Sequence, residues 1–260
     1  MEENKISEVF SQIYHDNLWG DPDSRSGSGS NLEQTKVIVE KIPELIAHYN
    51  ILTIVDAPCG DVFWMQRLFP QFQQKGIKYT GLDIVPKIVE ENKLKINGPN
   101  FNFHLVDLTK GPIPRVDLII TRDCLLHLSY KNILAILTNY KASGSKYLLV
   151  STYNSAKRKN CDVDEFSVGG RALNLQKAPF NFNQPLQIIV EGCTEGNYGY
   201  TDKSLGLWDL SKINLNKIRT YIIISNLKSA SAQLFEIGKM KMNKTRTFLK
   251  GIVKKVLFNR

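Results

Sequence analysis

The chain has 260 residues, 42% of them hydrophobic and 23% charged, with a formal net charge of +9. That length can bury one sizeable core, and no apolar run approaches the roughly 20 residues a bilayer span needs, so a cytoplasmic protein without a spanning helix is expected. Its four cysteines and four histidines are scattered with neither C-x-x-C pairing nor metal-ligand spacing, which leads us to expect free thiols and no structural metal.

From the amino end, Ile6, Val9, Phe10, Ile13 and Tyr14 recur on one face of a short helix. The stretch NLWGDPDSRSGSGS follows, a loop by composition, and closes on Ser30 with Glu33 three residues later. That spacing is a capping box and predicts a helix from about Asn31 to Tyr49. Its serines and glycines lead into the positive end of the helix, so Ser28 and Gly29 are candidates to hold a carboxylate or another anion. A flexible linker is the alternative.

Strands are predicted at Ile51 to Asp56, Ile77 to Asp83, Phe101 to Val106, Val116 to Thr121 and Lys146 to Thr152. Helices are predicted near Phe63 to Phe72, Pro86 to Ile96 and Tyr130 to Lys141, the last capped by Ser129. Alternation of this kind implies a parallel sheet covered on both faces, with ligands held above the carboxyl ends of its strands. Beyond Thr152 the alternation stops. LQIIVEG and KIRTYIIISN supply two further strand candidates after a long loop, 153–185, of the kind that is functional or disordered.

Three aspartates sit at successive strand ends. Asp56 opens DAPCGD, Asp83 closes YTGLD 27 residues later, and Asp107 follows FHLV. Asp83 is placed to accept hydrogen bonds from both hydroxyls of a ribose. Each aspartate alone could be a helix cap.

With these residues the sequence resembles the class I S-adenosylmethionine-dependent methyltransferases, whose first motif is D-x-G-x-G-x-G. Asp56, Cys59 and Gly60 fit it, whereas Pro58 and Val62 stand where that family has glycines. Their absence argues against a dinucleotide pyrophosphate cradle. The resemblance implies a Rossmann-like, doubly wound, mostly parallel seven-stranded α/β sheet, with S-adenosylmethionine as cofactor. It divides the chain into an N-terminal helical lid (1–50), a core (51–237) carrying the substrate loop, and a basic tail (238–260).

It also implies roles. Asp56, Ala57, Cys59 and Gly60 shape the methionine end; Asp83 and Ile84 take the ribose; Asp107 and Leu108 take the adenine edge. Trp19, Ser28, Gly29 and Arg122 complete the cofactor set. In VDLIITRDCLLHLS, His127 is the candidate base, with Asp123 as orienter or alternative, against the reading that His127 only packs near the cofactor.

The similarity runs from about Phe10 to Leu210 and is to a bacterial and viral subgroup found among surface-polysaccharide (capsule and lipopolysaccharide) enzymes. That assigns Asn160, Asp162, Arg171 and Asn174, with Trp64 and Tyr153, to an acceptor. An ordinary core role fits Trp19 and Trp64 equally well, and Arg171 could instead pair with Asp162 on a solvated loop. Arg171 with Arg122 could take phosphate, so a sugar, a nucleotide-linked sugar, or a phosphate or phosphoramidate ester is expected, methylated on oxygen.

Residues 239–260 hold eight of the 34 basic residues and no acid, which leaves 26 basic against 25 acidic residues before them. The basic character therefore belongs to the tail, which makes a nucleic-acid partner unexpected. Residues 245–260 would suit peripheral contact with an anionic inner-membrane surface, and a homodimer is a further expectation. Two alternatives stay open: a nucleic-acid methyltransferase anchored by the tail, and a degenerate module that keeps the fold without the donor.

Overall fold

A computed structural model of the chain describes residues 5–228. The expected basic tail, with its membrane-facing stretch, lies outside the described residues. The chain divides into two compact units, Met1–Ile218 and Arg219–Arg260. Of the second, residues 219–228 are described and are helical.

The first unit is built on one seven-stranded sheet. Its strands are β1 (Thr53–Asp56), β2 (Lys78–Asp83), β3 (Phe101–Leu105), β4 (Leu118–Thr121), β5 (Tyr147–Tyr153), β6 (Gln187–Val190) and β7 (Lys203–Asp209), in the spatial order β3-β2-β1-β4-β5-β7-β6. The first five run parallel, and β7 enters antiparallel between β5 and β6. β4 is buried along its whole length, as expected of a parallel strand covered on both faces. The order reverses between β1 and β4, the crevice where open α/β sheets bind ligands.

Helices α1 (Lys5–Asp16), α2 (Leu32–His48), α3 (Phe69–Gln74), α4 (Pro86–Lys95) and α5 (Tyr130–Ala142) accompany the sheet. Ser129 caps α5 as its sequence suggests, accepting from the Asn132 amide at 3.2 Å. The cap of α2 differs from expectation: Asn31, not Ser30, accepts from the Gln34 amide at 3.0 Å. Ser30 is itself wound into a single 3-10 turn, Ser28–Ser30, while Asn31 has the extended backbone a cap requires. The stretch expected as one helix from Phe63 divides into a 3-10 turn, Met65–Leu68, and α3, whose first turn holds Pro70.

One strand prediction is corrected. KIRTYIIISN is helical, and the seventh strand is instead Lys203–Asp209. A short β-branched run does not separate strand from helix, and Gly206 inside SLGLWD reads against a strand. Gly206 is needed there because a Cβ would lie 2.3 Å from the Trp208 ring. Gly81 on β2 has a comparable reason: a Cβ would meet the Phe103 ring at 2.6 Å and the Cys59 sulfur at 2.9 Å, so its absence lets the turn after β1 settle on β2.

Candidate active site

A cavity of about 1050 Å³, open mouth included, lies above the carboxyl ends of β1 to β4. Asp56, Asp83 and Asp107 all line it, with Cys59, Gly60, Ile84 and Leu108 between them. Parallel register explains the convergence: Asp56 pairs with Gly81 on β2, and Asp83 pairs with Leu105 on β3, so each acid rises from the same edge of the sheet. Trp19, Trp64, Arg122, Asp123 and His127 complete the predicted residues found here. Ala57 is buried outside the lining.

Asp83 and Asp56 are held in this cavity by neutral groups. Asp83 accepts from the amides of Gly60 and Val85, both at 3.0 Å, and burial pushes its carboxyl up to about 6 against those bonds. Asp56 accepts from the Tyr79 hydroxyl at 2.7 Å, and burial pushes it up to about 7. Asp107 is turned by Thr109, which donates from its amide at 2.9 Å and its hydroxyl at 2.6 Å. The neighbouring Cys124 thiol is pushed up to about 12 by burial, and Cys59 is raised for the same reason, so neither offers a thiolate.

A covering strap comes from the amino end. Asp61 accepts from the hydroxyls of Ser24 and Ser26 and from the Arg25 amide, at 2.9 to 3.0 Å, which ties residues 24–26 onto the turn after β1. Gly60, at φ +53, faces this strap so closely that a Cβ would stand 2.3 Å from Ser26 Oγ. Val62 adopts φ +49, a left-handed backbone that β-branched residues rarely take. α1 lies alongside: Tyr14 donates to Glu91 at 2.8 Å, and Ser7 to the Ile84 carbonyl at 3.0 Å.

A second cavity, about 720 Å³, shares Trp19, Ser26, Asp123 and His127 with the first. Ser28, Gly29, Tyr153 and Arg171 line it, so the predicted Ser28 and Gly29 face this chamber rather than the first cavity. Trp64, expected with the acceptor, faces the first cavity, 5.7 Å from the Arg122 guanidinium.

Asn160, Asp162 and Asn174 are not brought to either cavity. Asn160 donates to the carbonyls of Asn174 and Ala178 and accepts from the Asn174 amide, while Asp162 accepts from the amides of Tyr130 and Val163. These side chains hold the long loop together. Arg171 does not pair directly with Asp162; its fork donates to the carbonyls of Cys161, Leu126 and Leu128 at 2.7 to 2.9 Å.

Between the cavities lies a buried ion network that the sequence reading missed in large part. Arg122 binds Glu191 at 2.7 Å, the Gly29 carbonyl at 2.7 Å and Asp123 at 3.2 Å. Lys203 reaches Asp123 at 2.6 Å, Glu195 at 3.6 Å and Glu191 at 3.9 Å. Burial opposes charge on Asp123, but Arg122 and Lys203 outweigh it and hold the carboxyl well below its ordinary range. Lys203 is likewise kept charged against burial, chiefly by Asp123. Asp123 is also fixed at φ +51, its amide bonded to Ser151 Oγ at 2.9 Å. Such a conformation persists only where the surroundings enforce it.

His127 stands where the cavities meet. Its Nδ1 lies 2.7 Å from the Ser167 carbonyl, which can only accept, so Nδ1 carries the proton. Burial lowers its pKa, against the Ser167 bond and Asp123, which keeps the ring neutral. Among the described residues Nε2 has no hydrogen-bond partner. Phe10 and Trp19 pack at 6.2 and 5.5 Å from the ring. Among the described residues no cluster could hold a metal ion, and no helix is long and apolar enough to cross a membrane.

The sequence matches no family model and no curated protein. The structure is similar to that of a SAM-dependent methyltransferase from Leishmania major, at 16% identity over 76% of this chain and 83% of that one, with a TM-score of 0.54. It is also similar to the 1,6-didemethyltoxoflavin N1-methyltransferase of Burkholderia thailandensis, solved with 1,6-didemethyltoxoflavin and S-adenosylhomocysteine. There the identity is 15% over 78% of this chain and 85% of that one, with a TM-score of 0.50. These likenesses show a shared fold, the Rossmann-like arrangement of class I methyltransferases.

Proposed function

We propose that the protein is an S-adenosylmethionine-dependent methyltransferase that methylates an oxygen of a small polar acceptor. The observation that carries this reading is the convergence of Asp56, Asp83 and Asp107 on one cavity that shares Asp123 and His127 with a second.

The residues present fit the donor. Asp83 is fixed by two backbone amides and keeps further lone pairs for the two ribose hydroxyls. Asp107, with Leu108, would take the adenine edge, and Asp56 with Gly60 would bound the methionine end. The ion network sets three carboxylates, Asp123, Glu191 and Glu195, against two cations, Arg122 and Lys203. That excess of negative charge at the junction suits a positively charged donor. When bound, S-adenosylmethionine supplies a sulfonium-activated methyl group, which a nucleophile accepts as the carbon–sulfur bond breaks onto sulfur.

The chain's own part is placement and proton transfer. Trp19, Tyr153 and the strap at 26–29 bound the second cavity and would hold the acceptor. His127 lines both cavities, and its unprotonated Nε2 would take the acceptor's proton, while Ser167 fixes the ring through Nδ1. Oxygen rather than nitrogen as the methylated atom, and a sugar as the acceptor's source, rest on the resemblance to surface-glycan enzymes.

Calorimetry with S-adenosylhomocysteine tests the reading. Wild-type protein should bind it, and Asp83→Ala should lose measurable binding with an unchanged circular dichroism spectrum. Absence of binding to the wild type would overturn the proposal.

A further inference from the structure

Resting on the reading of the second cavity as the acceptor site, we infer that the acceptor is an uncharged, hydroxyl-bearing ring compound and that phosphate esters are not accepted.

Every charged group lining the cavity already has partners in the protein. Lys203 is surrounded by Asp123, Glu195 and Glu191. Arg171 donates to three main-chain carbonyls. Glu195 accepts from Ser28 Oγ at 2.6 Å. Behind the wall, Arg122 is held by Glu191, Asp123 and the Gly29 carbonyl, and Arg158 by Asp202 and the Gly199 carbonyl. A phosphate entering here would find Lys203 held by carboxylates and only Arg171 without one, its fork already turned to three carbonyls, and would lie against two carboxylates. Breaking a buried pair leaves its partner uncompensated, so the cost falls on the anionic ligand.

Three neutral groups stand without any hydrogen-bond partner among the described residues. They are the hydroxyls of Tyr153 and Tyr200 and His127 Nε2, and all three residues line the cavity. Together they offer two donors and an acceptor, suited to hydroxyl groups. The apolar surface beside them is aromatic and flat: the Trp19 ring, and the Tyr153 and Tyr200 rings set edge to face at 5.9 Å. Gly170 and Gly29 also line the cavity, where a Cβ would strike Leu126 at 2.2 Å and press on Asp123 at 3.0 Å respectively. A cavity with aromatic faces and neutral hydrogen-bonding tips fits a planar or pyranose ring. This departs from the phosphate or phosphoramidate ester expected from Arg171 and Arg122 as free cations.

The test uses the full chain saturated with S-adenosylhomocysteine, whose binding is measured first, so failure of the donor reading shows before any acceptor is added. Ligand-observed NMR then compares two matched pairs: methyl glucoside with glucose 6-phosphate, and catechol with phenyl phosphate. The neutral member of at least one pair should bind about tenfold or more tighter than its phosphorylated partner, and the pair that does so distinguishes a sugar from a phenol. Tyr153→Phe, which removes only a hydroxyl, should weaken that neutral ligand by about two- to tenfold. Phosphorylated members that bind as tightly as their partners overturn the inference, as does the absence of any binding to donor-saturated protein.

Discussion

Asp83 and Asp123 stand at the ends of neighbouring parts of one sheet, yet their charges are managed in opposite ways. Asp83, like Asp56, is buried among amides and hydroxyls, and burial raises its pKa. Asp123 is clamped by Arg122 and Lys203, which outweigh burial and hold it ionised. The first arrangement leaves carboxylates available to a ligand and responsive to pH. The second makes a rigid, self-contained wall whose value lies in where it holds Asp123 and Lys203. A neutral nucleoside can be gripped by the former, whereas the latter does not invite a second anion.

The largest break in this contrast comes from Lys203→Met. It strips one of two cations from three carboxylates and should cost about 3–5 kcal/mol in urea denaturation, as removal of one partner from a buried pair does. Asp83→Asn is the counterpart. It puts an NH2 group where an oxygen accepts from the amide of Gly60 or Val85, so stability should fall by about 1–3 kcal/mol, less than for Lys203→Met, while affinity for S-adenosylhomocysteine falls. Equal destabilisation by the two changes would erase the distinction.

The two halves also differ in how much of them the sequence discloses. Acids after successive parallel strands are legible because one strand, one turn and one helix recur at regular spacing, and Asp56, Asp83 and Asp107 each follow their own strand. The ion network is assembled across 69 residues for Arg122 with Glu191 and 80 for Asp123 with Lys203, through the antiparallel β6 and β7. The misplacement of the seventh strand hid Lys203, which begins it, and no local pattern marks Glu191 or Glu195 as partners. Asp61 was legible in principle, since it directly follows the Gly60 turn, but its partners lie 35 to 37 residues earlier in a loop without periodicity. Asn160, Asp162 and Asn174 differ in the other direction: a polar loop suggests ligand contact, and the structure gives those groups to the backbone of the loop and, for Asp162, to the first turn of α5.

Titration sharpens the comparison at a smaller scale. Asp83 moves up from 3.8 to about 6 and Asp56 from 3.8 to about 7, so their protonated forms favour the folded state. Stability from these groups is complete below the unfolded value and is lost as pH rises through about 6 and about 7. Asp123 has the opposite sign: its contribution is present above 3.8 and is lost on acidification. Ribose hydroxyls would bind the ionised form of Asp83, so affinity for S-adenosylhomocysteine should be about tenfold weaker at pH 5 than at pH 8. Asp83→Asn should flatten the profile, and a profile unchanged by that substitution would assign the titration elsewhere.

The smallest effect belongs to the strap that serves both cavities. Asn31 caps α2 through Gln34 and donates from Nδ2 to Asp21 at 3.0 Å, while Asp21 accepts from the amides of Asp23 and Ser24. One side chain thus fixes both the helix start and the loop whose next residues cover the first cavity and line the second. Asn31→Ala should cost about 1 kcal/mol, the usual value of a cap, and should weaken donor binding because the strap rests on the same anchor. Ser30→Ala, at the position a capping box would favour, should cost less in the same thermal melt, since the cap bond belongs to its neighbour. A larger loss from Ser30→Ala would return the cap to Ser30 and detach the strap from α2.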